Sequence, residues 1–568
     1  GDITGTLISN FLKGTDITIQ SAMGTKGTEG NINVNDAVSW SADTTLALDA
    51  ANNVNVNAAI TATGENAKLA LTAGKDINVN KDITLSGTNA ALTMNYGGDY
   101  HIFMPTAYAG AVLDKNGRPT AKKAPEGTTY ASITLPGSNA GLTMNGTPYT
   151  LIHKIGDMAT TDTLTGSYAL AQDLDAAAWS AANMGATSVV GKFNGTLTGL
   201  GHTISNLTLN APSTNNAGLI GQIPSNTTAV VRDIGLVDIR VSGWISVGAL
   251  VGRLEGELTV SRAYVTAGDN ENNPSKVTGY NRVGGLVGDV RPGVPSLLSI
   301  GESYSDADVA VNGAGGNSIG GLVGRARLNA TISNSHATGK VIGGWKSNET
   351  LGGLVAYGNN LTVRNSYATG VVSGASGAYV GGLVGHMLGG GAIENSFATG
   401  NVTGGNRIGG LVGDGGDGGG NIDNCWASGN VTATKAITGG TTTAGVGGLV
   451  GTGGGYITRS FATGNVMDIS GASMTSMGGL VGYMLPGSIT DSYATGSVTG
   501  KNSGMGGLVG RLNQASIENS FATGNVTNDW GGGYTGGLVG TNGGSITDSW
   551  ASGNVYGGGT GTGGLAGI

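Results

Sequence analysis

The chain has 568 residues, a net charge of −8, only 11% charged residues and no basic run, which argues against nucleic-acid binding. Glycine supplies 109 of those residues without a Gly-X-Y period, so collagen is excluded. The single cysteine, Cys425, excludes an intrachain disulfide, and no stretch approaches the ~20 apolar residues of a membrane span.

Residues 1–100 carry a short repeat. NINVNDAVSW from Asn31, NVNVNAAITA from Asn53 and DINVNKDITL from Asp76 align with Ile32, Val54 and Ile77 in one slot. Apolar and polar residues alternate, so one face of each strand points inward. The spacing predicts a narrow β-helix with three strands per coil. The opening GDITGTLISN shows neither the basic nor the apolar region of a signal peptide. The closing GTGGLAGI shows no polar cap. Both ends read as parts of a longer protein or as joints to neighbours.

Residues 101–150 break the pattern with Pro105, Pro119 and Pro125 and gather Lys115, Arg118, Lys122 and Lys123. This predicts an excursion or hairpin projecting from the rod, with strands resuming at 130–135 and 142–144. Residues 151–216 form a transition segment. Ile152, Ile155 and Met158 share a helical face, predicting one short helix within 151–165, before strand alternation returns.

Residues 217–568 repeat one sentence. A clear copy, from Ile517, reads IENSFATGNVTNDWGGGYTGGLVG. Its last Leu recurs at Leu286, Leu322, Leu354, Leu383, Leu411, Leu449, Leu480, Leu508, Leu538 and Leu565, with looser copies at Leu219 and Leu250. The gaps run from 27 (Leu538 to Leu565) to 38 residues (Leu411 to Leu449). Such a period signals a repeat architecture. Each unit holds three short apolar runs bounded by Gly, Asn, Ser or Asp, which read as strands. The fold class is therefore all-β, a right-handed parallel β-helix with three short strands per coil. Twelve wide coils stacked ~4.8 Å apart make a rod roughly 55 Å long. A propeller is the competing fold, but its blades need about 40 or more residues.

An aromatic slot holds Tyr304, His336, Tyr367, Phe397, Trp426, Phe461, Tyr493, Phe521 and Trp550. Its recurrence favours a structural ladder over a ligand platform. Cys425 fills the Ser slot of the repeat (NCWASG against NSFATG), which makes it a structural group rather than a nucleophile.

The unit GGLVG…SYATGNV resembles the GLUG motif of bacterial surface proteins. The lead-in YTLI at 149–152, YALAQDLDA at 168–176 and FNGTLTGLGHTISNLTL at 193–209 resembles that of GLUG arrays in large exoproteins. The INVN-type coils of residues 31–95 look like a filamentous-haemagglutinin-type β-helix. Together these resemble the secreted adhesin of a two-partner secretion system. The resemblance implies an extracellular or cell-surface adhesive rod, passed through an outer-membrane transporter during secretion and partnered by the rest of a longer exoprotein, other copies of itself, or host-surface and matrix glycans. The family's secretion domain is not recognisable here. The alternatives are a filament subunit joined end to end and, from another class, a polysaccharide-degrading enzyme.

Candidate sites fall in the loop between the recurring Val and the next Gly-Gly, which varies most in length. Insertions in repeat proteins map to one face, often the binding face. Trp345, Tyr379, Trp530 and Tyr534 lie in these loops and form the candidate ligand-binding set for sugar rings. GDGGDGGGNID at 413–423 gathers Asp414, Asp417 and Asp423, oxygen ligands that make Ca²⁺ the one candidate ion. A polar turn is the plainer account of both this segment and GDNENNP at 268–274. No organic cofactor is implied. The slot after the repeat's Ile holds Ser333, Arg364, Glu394, Asp423, Thr458, Thr490, Glu518 and Thr547. A slot so tolerant reads as a solvated face rather than a pair of catalytic carboxylates. The five histidines show no metal-ligand spacing. Asn-x-Thr sequons such as Asn401 and Asn525 coincide with the repeat's own turn.

Overall fold

The computed structural model describes residues 3–568 except 22–29, 269–274, 292–296, 314, 328, 345, 347, 375–378, 417–419, 435–443, 472–475, 532 and 560. The chain is a parallel β-helix. Strands separated by one coil pair in parallel and in register from the first coil to the last.

The narrow coils place one strand in each of three sheets. Ile32–Val34, Val54–Val56, Ile77–Val79 and Tyr100–Ile102 form one side, and Val38–Trp40, Ile60–Ala62, Ile83–Leu85 and Ile133–Thr134 the second. Thr45–Ala50, Lys68–Ala73, Ala91–Tyr96 and Gly141–Met144 lie on the third. The alternation seen in the sequence becomes burial alternation: Leu69, Leu71 and Ala73 point in. Asn side chains outside the core form ladders, with Asn78 Nδ2 donating to Asn55 Oδ1 at 2.8 Å and Asn55 Nδ2 to Asn33 Oδ1 at 2.7 Å. A helix the periodicity does not foretell, Gly5–Phe11, packs on the first coil. Its N-cap is Thr4, and Ser9 Oγ accepts the Ser39 N–H at 2.9 Å.

The narrow coils become wide ones through a reversal. Gly141–Met144 pairs antiparallel with Thr147–Ile152 across Asn145 (φ 47°) and Gly146 (φ 76°). Asn-Gly is the pair that a tight hairpin with two positive φ values demands. Two backbone bonds then tie the bodies: Ile133 N–H to the Leu200 carbonyl at 2.9 Å and Leu135 N–H to the Ala171 carbonyl at 2.8 Å. Arg232 adds a side-chain tie. Its guanidinium grips Asp99 with two bonds (2.9 and 3.0 Å), bonds the Tyr100 carbonyl and lies 4.0 Å from the Tyr100 ring centre.

The helix expected within 151–165 shrinks to a single 3-10 turn, Ile155–Asp157. Asp157 caps it by accepting the His153 and Lys154 N–H groups. The Thr-rich stretch after it is strand Thr160–Leu170, as β-branched residues favour.

Each wide coil also contributes to three sheets. In one coil Ala392–Glu394, Phe397–Ala398 and Val412–Asp414 lie in the longest sheet, broken by bends. Val402–Gly404 belongs to the second and Arg407–Gly409 to the third. The recurring Leu is the hub: Leu322, Leu354, Leu383 and Leu411 are fully buried and stack coil upon coil. The Ser slot is a relay. The Ser335 N–H donates to Ser366 Oγ of the next coil at 3.1 Å, and the Ser335 hydroxyl donates to the Ser333 carbonyl at 2.7 Å. The slot before it is mostly Asn for a backbone reason. Asn334, Asn365, Asn395, Asn424 and Asn519 all have φ between 46 and 51°, where Asn is tolerated best among residues with a side chain.

Candidate functional site

The aromatic slot forms one continuous ladder. From Tyr264 through Tyr304, His336, Tyr367, Phe397, Trp426, Phe461, Tyr493 and Phe521 to Trp550, neighbouring rings lie 4.6–5.9 Å apart and within 16° of parallel. Stacking at the strand spacing uses up the ring faces, so only edges point sideways. A sugar ring needs a face, so the interior rungs serve the scaffold.

The segment at 105–123 does not project from the rod, as its prolines and lysines lead one to expect. It forms an antiparallel hairpin, Ala111–Leu113 with Pro119–Ala121, laid along the ladder. Ala111 N–H donates to the Asn365 carbonyl at 2.7 Å and fills the groove over Tyr367 and Phe397. His336 Nδ1 donates to the Ala109 carbonyl at 2.7 Å; a carbonyl only accepts, so this nitrogen carries the proton. Asn424 Nδ2 donates to the Gly117 carbonyl at 2.9 Å, and the Arg118 guanidinium lies 4.9 Å from the Phe461 ring centre. The strap therefore seals rungs from His336 to Phe461. Arg118 also hydrogen-bonds the Tyr493 hydroxyl, while Trp550 at the end of the ladder is 49% exposed. Burial under the strap pushes the Tyr367 hydroxyl up to about 12.

The longest variable connection lies at one corner of the coil, between the second and third sheets; the bend before the Ile strand varies too, from one residue between Val355–Asn359 and Leu361–Arg364 to six between Val287–Val290 and Leu297–Gly301. The corner between the second and third sheets is long between Val431–Ala433 and Gly445–Gly447 and two residues wide between Val402–Gly404 and Arg407–Gly409. The candidate aromatics follow this edge without forming one cluster. Tyr379 is half-buried, with its ring 4.5 Å from His386 and 5.4 Å from the Arg407 guanidinium. Trp530 is half-buried and its backbone N–H donates to Asn528 Oδ1; Tyr534 is exposed. Trp345 lies outside the described residues. A second aromatic pair sits on the same edge. Trp244 and Tyr280 stack at 4.0 Å, 11° from parallel, and Lys346 Nζ donates to the Tyr280 hydroxyl at 2.8 Å. Their signal was available: each lies three residues past the Val of its strand, Val241 and Val277, in consecutive coils.

Asp414 is buried and ion-paired with Arg407, and His386 Nε2 lies 3.3 Å from its carboxylate. Burial lowers the pKa of His386. Asp423 points along a different strand and pairs with Arg459. Asp417 lies outside the described residues. Among the described residues, no group of three acidic, His or Cys side chains is placed to hold a metal ion. Two carboxylates of the tolerant slot pair with cations, Asp423 with Arg459 and Glu394 with Arg364 at 3.0 Å. No described helix is long and apolar enough to cross a membrane.

Fold and repeat together define a parallel β-solenoid built on a short glycine-rich unit. The family described as the GLUG motif matches residues 315–342, 376–403, 475–499 and 501–527. Over 197 residues the chain is 34% identical to Halomucin of Haloquadratum walsbyi (strain DSM 16790 / HBSQ001). That stretch is 33% of this chain and 2% of the relative, so the chain spans a small fraction of the relative's length. A solved structure from Bacteroides ovatus, described as a "putative immunoglobulin A1 protease", is 17% identical over 63% of this chain and 77% of that one. Its TM-score is 0.23, and at that value the likeness carries no argument.

Proposed function

We propose that the chain is a rigid structural segment of an extracellular surface protein, a rod that displays variable loops along one edge for attachment. The observation that carries the reading is the separation of constancy and variation. The interior wide coils repeat the same buried Leu and Ser columns and the same stacked rings, while the longest length change falls at the corner between the second and third sheets. A scaffold that must keep its register and vary its contacts has this form. The GLUG matches and the likeness to Halomucin support a structural rather than an enzymatic role. The finer reading, an adhesin of the filamentous-haemagglutinin kind that meets surface or matrix glycans through loop-edge aromatics, rests on the resemblance and on the exposed rings of Trp244 and Tyr534.

Two measurements test it. Electron microscopy of the purified chain at several concentrations should show rods of one length; fibres that lengthen with concentration would replace the display rod with an end-joined filament subunit. Glycan-array binding by the wild type and a Trp244→Ala/Tyr534→Ala variant should differ. Equal binding would remove the loop edge from the attachment role.

A further inference from the structure

A cleft of about 680 Å³ opens beside the short helix Ala177–Ala182. Side-chain bonds hold that helix over the first wide coils. Asp175 Oδ1 accepts the Ala177 N–H at 2.9 Å and Asn206 Nδ2 at 3.0 Å. The Ser180 hydroxyl, on a residue only 8% exposed, accepts the Thr208 N–H at 2.9 Å. The helix therefore stands beside strand Thr208–Asn210, and the next coil brings up Asp238 and Arg240 as the facing wall. Asn206 and Asp238 sit at matching corners of the two coils with φ of 58° and 53°, a region that Asn and Asp tolerate better than most residues. These corners precede the second-sheet strands, whereas the variable loops follow them. The cleft and the loop edge thus lie at opposite ends of those strands.

The lining is of two kinds. Ala177, Ala181 and Met184 form an apolar wall, and Met184 is 88% exposed. The floor and the facing wall carry oxygens with bonding capacity to spare. Asn206 gives its amide N–H to Asp175, which leaves Oδ1 as an acceptor. Asp238 Oδ1 accepts the Gly268 N–H at 2.7 Å, and Oδ2 has no partner among the described residues. The Thr208 hydroxyl has none either, and it can donate as well as accept. Charge narrows the choice of ligand. An anion would meet the Asp238 carboxylate, and a cation would meet the Arg240 guanidinium on the same wall. A neutral molecule that donates several O–H bonds meets neither objection, and its C–H groups suit the Ala and Met wall. The volume lies within the ~300–1,000 Å³ of small-molecule sites.

We propose that this cleft binds a neutral sugar residue. Sugar hydroxyls donate to Asn206 Oδ1, Asp238 Oδ2 and the Thr208 hydroxyl, and the C–H face of the ring lies on Ala181 and Met184. The site adds an attachment point on different residues from the loop edge and does not depend on it.

The test is an NMR titration of the full chain with its methionine methyl groups labelled with carbon-13. Met184 is one of 12 methionines, and Met184→Leu assigns its signal. The probes are the methyl glycosides of glucose, galactose and mannose, with glucuronate and glucosamine as charged controls. The Met184 signal should move saturably with at least one neutral glycoside, and both charged sugars should bind at least about tenfold more weakly. Ala181→Tyr, at an exposed helix position, fills the cleft; it should keep the thermal unfolding midpoint and abolish the movement. Thr208→Val keeps the shape without the hydroxyl and should weaken binding about three- to tenfold. A still signal with every neutral glycoside, charged sugars that bind as tightly, or movement that survives in Ala181→Tyr would overturn the proposal. Trp244→Ala/Tyr534→Ala alters the loop edge alone and should leave the Met184 titration unchanged, so failure of the cleft and failure of the loop edge are read separately.

Discussion

Trp426 donates its indole Nε1–H to the carbonyl of Pro119 at 2.8 Å, across 307 residues of sequence. The bond joins the strap at 105–123 to the middle of the wide array, at a flat step of the ladder: the rings of Phe397 and Trp426 are 1° from parallel. Trp426→Phe keeps the ring stack and removes one partly buried donor. The cost should be about 1 kcal/mol, the net worth of an ordinary hydrogen bond. The strap is held by few such bonds, so the effect should be local. Tryptic cleavage after Lys115 should accelerate in Trp426→Phe while the global unfolding midpoint moves little. Unchanged cleavage would mean that the apolar seat of Ala111 on Tyr367 and Phe397 holds the strap without the indole.

The Thr-Gly-Asn turn of the repeat makes a second prediction. A Cβ on Gly496 would stand 1.9 Å from the Gly464 carbonyl oxygen, and Gly464 stands in the same relation to Gly429. The backbones of successive coils meet here with no room for a side chain. Gly496→Ala should cost about 2–4 kcal/mol, because a coil rather than a side chain must move. Gly531→Ala, whose nearest neighbour is 3.9 Å away, should stay within about 0.5 kcal/mol. Urea unfolding of the two variants reads the difference, and equal stabilities would refute the close-contact account.

These columns explain what the sequence reveals and what it withholds. A repeated residue reports its environment many times over, so the buried Leu, the Ser relay and the stacked rings are legible from Leu286, Ser335 and Tyr367 and their copies. The strap occurs once. Its prolines and lysines say that it leaves the coil, but its destination depends on the groove over Phe397 and Trp426, which lies about 300 residues away. The cleft beside helix Ala177–Ala182 is hidden for a related reason. Thr208 and Arg240 lie 32 residues apart and line it together only because one coil of that length separates them. The Asn slot was visible but its cause was not: a positive φ leaves no mark in a sequence except a preference.

Cys425 tests the Ser relay. Its Sγ takes the place of the hydroxyl, lying 3.2 Å from the Asp423 carbonyl, and the Ser396 N–H approaches it as it would a serine. Burial pushes the thiol up to about 12. The native thiol should not react with an aromatic disulfide reagent at neutral pH, and one equivalent should react on unfolding. Cys425→Ser restores the residue found in neighbouring coils and should change stability by less than about 1 kcal/mol. Rapid native labelling would show that the coil opens at this point.

Glu349 supplies the pH prediction. The side chain is buried at the start of strand Thr350–Gly352, with Oε1 accepting the Gly344 N–H at 2.8 Å and Oε2 without a partner among the described residues. Burial raises its pKa from 4.5 to about 7. A carboxyl group whose folded pKa is raised binds its proton more tightly in the folded state. It therefore favours the fold less as pH rises from the unfolded value near 4.5 through about 7, and beyond that the cost is constant. Glu349→Gln keeps the acceptor for Gly344 and removes the titration. The variant should match the wild type at about pH 4 and exceed it at about pH 8 by about 1–3 kcal/mol, most of the gain appearing between those values. Thermal unfolding of both proteins across that range measures it. Parallel curves would show that Glu349 stays ionised in the fold and finds its counter-charge there.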